Sequence, residues 1–215
     1  MTEPARRAIG DHSAAVPPVV NVANALTMFR ILLVPVFVVA LFVDDGESTL
    51  WRVVAFGIFV VAAVTDQIDG RIARERNLVT DFGKMADPIA DKALIGAALL
   101  GLSVLDLLPW WVTAVILVRE IGVTILRFWV IRHGVIPASR GGKLKTLLQS
   151  VAIGLFVLPF TGALLVVAWV FMAAAVVATV VTGADYVWQA IRLRREGRAA
   201  QAAARDAMAR ADEAQ

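Results

Sequence analysis

The chain has 215 residues, of which 59% are hydrophobic and 18% charged, with a mean hydropathy of +0.75, a composition far from that of a soluble domain and close to that of a polytopic membrane protein. The net charge of +3 has no basic, soluble fold on which a nucleic-acid-binding surface could stand, so no nucleic-acid partner is expected. Zero cysteines exclude disulfides, thiolate nucleophiles and iron–sulfur ligation, and with only two histidines, His12 and His133, any metal here must bind oxygen.

Residues 1–16 are polar and predicted to be a flexible cytoplasmic N-terminus, and Pro17 and Pro18 mark the approach to the membrane. Arg6 and Arg7 are not followed by a short apolar run and a small-residue cleavage site at the usual distance, so the first apolar run is read as a retained span rather than a removable signal. About 20 apolar residues cross roughly 30 Å of hydrocarbon, and six candidates follow in order: 22–43, 50–70, 85–105, 109–131, 146–160 with a polar approach, and 163–190. The fifth is the shortest. The fold class expected is therefore all-α, with six transmembrane helices in a catalytic domain over 17–192. Residues 193–215 shift to Ala, Arg, Glu and Gln and form a cytoplasmic tail, helical or disordered.

Orientation follows from charge. With both termini on one side, the connections near Asp44–Thr49, Leu105–Leu108 and Thr161–Gly162 fall on the other, and of 21 Lys and Arg only Arg52 adjoins one of them. The positive-inside rule then places both termini in the cytoplasm.

Between the second and third apolar runs stands DQIDGRIARERNLVTDFGKMADPIADK, Asp66 to Lys92. Asp66 and Asp69 are three residues apart and Asp87 and Asp91 four apart, so each pair shares one face of its helix. The polar connection at 74–80 is short enough to join antiparallel helices, which brings both pairs to a similar shallow depth. Four uncompensated acids inside a bilayer would cost on the order of 10 kcal/mol. Arg71, Arg74, Lys84 and Lys92 are near enough in sequence to compensate them as ion pairs; alternatively, two facing carboxylate pairs can clamp a pair of hard divalent cations and leave a neutral site for a phosphate-bearing substrate. Gly70, Ala73 and Gly83 keep the adjoining helix surfaces small, whether for packing or for the approach of a ligand, and Arg74 can grip a phosphate through two parallel hydrogen bonds.

Asp66, Asp69, Gly70, Ala73, Arg74, Gly83, Asp87 and Asp91 reproduce the DxxDGxxARx8GxxxDxxxD signature without a departure, and the chain on this ground resembles the CDP-alcohol phosphatidyltransferase family. The resemblance implies six transmembrane helices, usually in a homodimer, with an acidic site open to the cytoplasmic face of a cell membrane. It implies transfer of a phosphatidyl group from CDP-diacylglycerol to an alcohol with release of CMP. It also implies two Mg²⁺ or Mn²⁺ ions, bridged by Asp66 and Asp87 and completed by Asp69 and Asp91, with Asp91 also the general base. Gly70, Ala73, Arg74 and Thr80 would contact the nucleotide and its pyrophosphate, with Arg30 and its neighbours Phe29, Ile31 and Leu32 near the same headgroup.

NVANALTMFR at 21–30, VREIGVTILR at 118–127 and IPASRGGKLKTLLQ at 136–149 resemble the branch that uses glycerol 3-phosphate as acceptor, for phosphatidylglycerol and cardiolipin biosynthesis. On that likeness Arg119, Arg127, Lys143 and Lys145 would bind the acceptor phosphate. Blander readings stand beside it: Lys143 and Lys145 as positive-inside anchors, Arg119 as a partner of Glu120, Arg127 and Arg132 reaching to the interface. Transfer to inositol phosphate or another alcohol is the nearest alternative, and a cation-coupled carrier, with Pro35 and Pro159 kinking two helices, the alternative from another class.

Overall fold

A computed structural model describes residues 22–75, 81–130 and 140–213. Within them lie six α-helices and no strand: α1 Val22–Phe42, α2 Thr49–Glu75, α3 Asp81–Val104, α4 Trp110–Val130, α5 Arg140–Val157 and α6 Gly162–Glu213. Residues 1–21, with the expected N-terminal tail, and Thr80 lie outside the described residues.

Small residues on inward faces set the packing. On α3, Ala90, Leu94, Ala98 and Leu102 recur every four residues and are buried, which turns one stripe of the helix inward. A Cβ on Gly101 would stand 2.8 Å from Leu41 Cδ2 and 3.3 Å from the Phe42 ring, so the absent side chain is what lets α1 lie against α3. On α6 the inward stripe is Ala168, Met172, Ala175 and Thr179. The core is closed by rings, with Phe37 and Phe59 5.9 Å apart and Phe156 edge-on to Trp169 at 5.0 Å. α1 packs on α2 and α3, α5 on α2, α3 and α6, and α4 on α3 and α6.

Outward faces are apolar as well. Leu32, Val36 and Val39 on α1, Val53, Val60 and Val64 on α2, and Val166, Val170, Val177 and Val181 on α6 are all exposed, far more continuous apolar surface than a water-soluble monomer carries. Ala25–Gly46 and Gly162–Arg195 are each long and apolar enough to cross a membrane; among the described residues, Thr49–Thr65, Lys92–Val104 and Leu144–Val157 are shorter apolar segments. Helix α4 has its apolar run interrupted by Arg119 and Glu120.

The turns at one end of the bundle are tight. Between α1 and α2 the backbone enters left-handed conformations at Asp44, Asp45 and Gly46, and a Cβ at Gly46 would meet Leu105 Cδ1 at 2.8 Å. After α3 the amides of Leu107 and Leu108 return to the Leu102 carbonyl at 2.9 and 3.1 Å, and Ser103 Oγ and Thr113 Oγ1, 2.7 Å apart, tie α3 to α4. Arg52, the one cation beside these turns, has a structural task. Its Nε donates to Val157 O at 2.9 Å and its Nη2 to Phe156 O at 2.7 Å and Leu158 O at 3.0 Å. The guanidinium thus satisfies the carbonyls that the end of α5 leaves without helical partners.

One expectation needs adjustment. The fifth helix starts six residues before the apolar run, at Arg140, and ends at Val157, so Pro159 lies in the connection and kinks no helix. Of the two readings of the polar C-terminal segment the helical one holds: α6 continues unbroken to Glu213 over 52 residues, about 78 Å at 1.5 Å per residue and well over twice what a bilayer core requires.

Candidate active site

The acidic segment occupies the adjoining ends of α2 and α3. Asp66, Asp69, Gly70, Ala73 and Arg74 lie on the last three turns of α2, and Gly83, Asp87 and Asp91 on the first three of α3. The side chains of these residues are outside the described ones. Their levels follow from helix geometry. Asp69 is six residues before the end of α2 and Asp87 six after the start of α3, each about 9 Å in. Asp66 is nine before the end and Asp91 ten after the start, about 14 and 15 Å in. With α2 and α3 in contact and joined by the five residues 76–80, the pairs fall at matched heights. Four carboxylates make an all-oxygen, hard donor set that suits Mg²⁺ or Mn²⁺ better than a softer ion.

One residue beyond Asp91 the described chemistry begins. Lys92, Ile95, Leu117, Glu120, Ile121, Lys145, Thr146 and Gln149 line a cavity of about 160 Å³ between α3, α4 and α5, several times the roughly 30 Å³ share of a water molecule. Lys145 is buried, only 4% exposed, and its Nζ donates to Glu120 Oε1. The same oxygen accepts from Arg119 Nη1 at 3.2 Å. Lys92 Nζ donates to Thr124 Oγ1, whose own hydrogen goes to the Glu120 carbonyl at 2.7 Å. Two cations therefore meet the Glu120 carboxylate, and Lys92 reaches the Glu120 backbone through Thr124. An ammonium taken out of water needs a partner of opposite charge, and Glu120 is one for Lys145; on the described wall two cations, Lys92 and Lys145, stand with one carboxylate, Glu120, an arrangement that favours an anion.

Arg119 is held from the α6 side. Its Nη2 donates to Thr182 Oγ1 at 2.9 Å; the Thr182 hydroxyl donates in turn to Ala178 O at 2.7 Å, which leaves its lone pairs toward the guanidinium. The Tyr186 ring lies 5.9 Å beneath Arg119 Cζ, within range of a cation–π contact. Gly183 clears the way, since a Cβ there would approach Arg119 Cγ to 3.0 Å.

Of the four cations expected at the acceptor phosphate, the structure brings Lys145 to the cavity wall and Arg119 to the far side of Glu120, where it does not line the cavity. Arg127 and Lys143 lie on α4 and α5 with side chains outside the described ones. The run Phe29–Leu32 divides: Arg30 is fully buried within the bundle while Phe29 and Leu32 face outward. Sequence reading gave Glu120 only as a partner of Arg119 and Lys92 only as a partner for the acids, and it did not single out Thr124, Gln149, Thr182 or Tyr186. Their clearest signal is the KLKTLLQ spacing at 143–149, which puts Lys145 and Gln149 on one face of α5.

Comparison with known proteins agrees with this layout. The family model described as CDP-alcohol phosphatidyltransferase matches residues 20–181. The chain belongs to the CDP-alcohol phosphatidyltransferase family. The match takes in the acidic ends of α2 and α3, the cavity, and all of α4 and α5. The chain is 59% identical over 174 residues to a probable phosphatidylglycerophosphate synthase of Mycobacterium tuberculosis (strain CDC 1551 / Oshkosh), covering 81% of this chain and 83% of the relative. It is 37% identical over 188 residues to the CDP-diacylglycerol–glycerol-3-phosphate 3-phosphatidyltransferase of Bacillus subtilis (strain 168), covering 80% and 97%. Against the protein of the same name in Rickettsia felis it is 39% identical over 171 residues, covering 77% and 93%.

Proposed function

We propose that this phosphatidyltransferase moves the phosphatidyl group of CDP-diacylglycerol to glycerol 3-phosphate, giving phosphatidylglycerophosphate and CMP, at the cytoplasmic face of a cell membrane that the chain crosses several times as a homodimer. The relatives' names support the donor and acceptor. The observation that carries the acceptor half of the reading is the cavity that begins one residue beyond Asp91 along α3, whose described wall holds Lys92 and Lys145 with Glu120.

Asp66, Asp69, Asp87 and Asp91 would hold two divalent cations, Mg²⁺ or Mn²⁺, which when bound would polarise the donor pyrophosphate and offset the charge growing on CMP. The chain's own residues then have three tasks. Gly70 and Ala73 leave room for the nucleotide, and Arg74 and Thr80 orient its phosphates. Lys145 receives the acceptor phosphate, with Arg119 behind Glu120 and with Arg127 and Lys143 adding positive charge from α4 and α5. Asp91 takes the proton of the acceptor's terminal hydroxyl as its oxygen bonds to the phosphatidyl phosphorus and the phosphorus–oxygen bond to CMP breaks. The buried Arg30 would support the donor headgroup from α1, and Phe29, Ile31 and Leu32 its acyl chains.

A carrier fits less well, because α2 and α3 run unbroken through their acids, whereas coupled carriers place ion sites at interrupted helices. The test is a product-resolved assay of purified protein with CDP-diacylglycerol and either glycerol 3-phosphate or inositol phosphate. CMP release with the first, abolished by Asp91→Asn and requiring more acceptor in Lys145→Ala, is expected. Release with inositol phosphate alone would overturn the acceptor while leaving the family untouched.

A further inference from the structure

Resting on that reading of the acceptor, we propose that Gln149 recognises the middle hydroxyl of glycerol 3-phosphate and so sets the choice among phosphorylated alcohols. Gln149 lines the cavity and is only 2% exposed. Its Oε1 is buried with no hydrogen-bond partner among the described residues. Buried polar atoms are seldom left so.

The surroundings explain why no protein donor fills the gap. Ile95, Leu117 and Ile121 on the cavity wall have only apolar side chains. Of the donors on the wall, Lys145 Nζ goes to Glu120 Oε1, Lys92 Nζ to Thr124 Oγ1, and the Thr146 hydroxyl to Gly142 O at 3.0 Å. Gln149 lines the cavity while its partnerless oxygen is buried in the wall; a half-turn of the amide group exchanges its oxygen and nitrogen and would present the oxygen to a ligand hydroxyl.

Register supplies the second argument. Gln149 follows Lys145 by four residues on α5, on the same face and about 6 Å further along the axis. In glycerol 3-phosphate one terminal carbon bears the phosphate and the other the hydroxyl that reacts. A molecule held at its phosphate by Lys145 and at its reacting hydroxyl near Asp91 must present its remaining hydroxyl between those two points, to the wall. Gln149 is the side chain on that wall whose oxygen is buried with no hydrogen-bond partner among the described residues. A site built to meet a hydroxyl rejects the analogue that lacks it, because the protein atom is then left buried and unpaired.

The experiment compares glycerol 3-phosphate with 3-hydroxypropyl phosphate, which keeps the phosphate and the reacting hydroxyl but has no middle hydroxyl. Initial rates of CMP release are measured in neutral-lipid nanodiscs, for wild type and Gln149→Leu. Wild type is expected to prefer glycerol 3-phosphate by about tenfold or more in kcat/KM, and Gln149→Leu to lose nearly all of that preference, chiefly by losing rate with glycerol 3-phosphate. If the leucine variant is not recovered folded, Gln149→Met, which keeps the length without the amide, carries the same comparison. Equal discrimination in wild type and variant, or no discrimination in wild type, overturns the role of Gln149. Failure of wild type to use glycerol 3-phosphate at all overturns the acceptor reading beneath it.

Discussion

Glu120 is the residue on which the described site turns. Its Oε1 receives Lys145 and Arg119 together, and its backbone carbonyl receives Thr124. Replacing it by Gln keeps the shape and removes the charge, so the buried Lys145 loses its ion pair with Glu120. Glu120→Gln is expected to lower turnover at least tenfold, since a buried ion pair that loses one partner costs about 3–5 kcal/mol locally; steady-state rates against glycerol 3-phosphate concentration measure it. Arg52→Leu is expected to act on stability instead. It removes hydrogen bonds to Phe156, Val157 and Leu158 at the end of α5, a loss of about 2 kcal/mol, seen as a lower thermal midpoint with KM for glycerol 3-phosphate unchanged. That the four aspartates lie on two successive helices was legible in the sequence, and period alone, three and four residues, puts each pair on one helix face. Glu120 was half legible, as a partner of Arg119 but not as the counter-ion of Lys145, which lies 25 residues away on another helix. No local pattern records that distance.

At the level of elements, the small residues decide which helices meet. Gly101→Val would drive a branched side chain into Leu41 and Phe42, where even a Cβ stands too close. A loss of about 1–3 kcal/mol is expected, read as lower resistance to detergent-induced unfolding. The boundaries of α1, α3 and α4 could be read to within a few residues because hydropathy falls where the turns begin. α5 and α6 could not. The start of α5 is a run of Gly and Lys with no apolar signal, and the tail of α6 is polar, Ala-rich chain whose helicity comes from propensity alone. The contacts described between α6 and Arg119, from Thr182, Gly183 and Tyr186, all precede Arg192. Ending the chain after Arg195 is therefore expected to keep turnover within about twofold, as peripheral segments allow. A large loss would show that the extension takes part in assembly or in the site.

For the whole molecule, the absence of cysteine gives a clean background for mapping orientation. A cysteine at Glu47, in the α1–α2 turn, is expected to react with an impermeant maleimide from outside intact cells, and one at Glu213, the end of α6, only after permeabilisation. The opposite pattern would invert the topology that the positive-inside rule gives.

What joins these scales is a pair of helix ends, α2 and α3, that carry four aspartates at matched levels along their axes, with a cavity that begins one residue beyond the last of them. Chelation tests that arrangement most directly: purified protein is stripped of divalent ions, bound metal per chain is counted, and CMP release is followed as Mg²⁺ or Mn²⁺ is restored. Turnover is expected to vanish on stripping and return with two ions per chain, and to stay absent in Asp66→Asn and Asp87→Asn at any metal concentration. Undiminished CMP release from metal-free protein would contradict the arrangement.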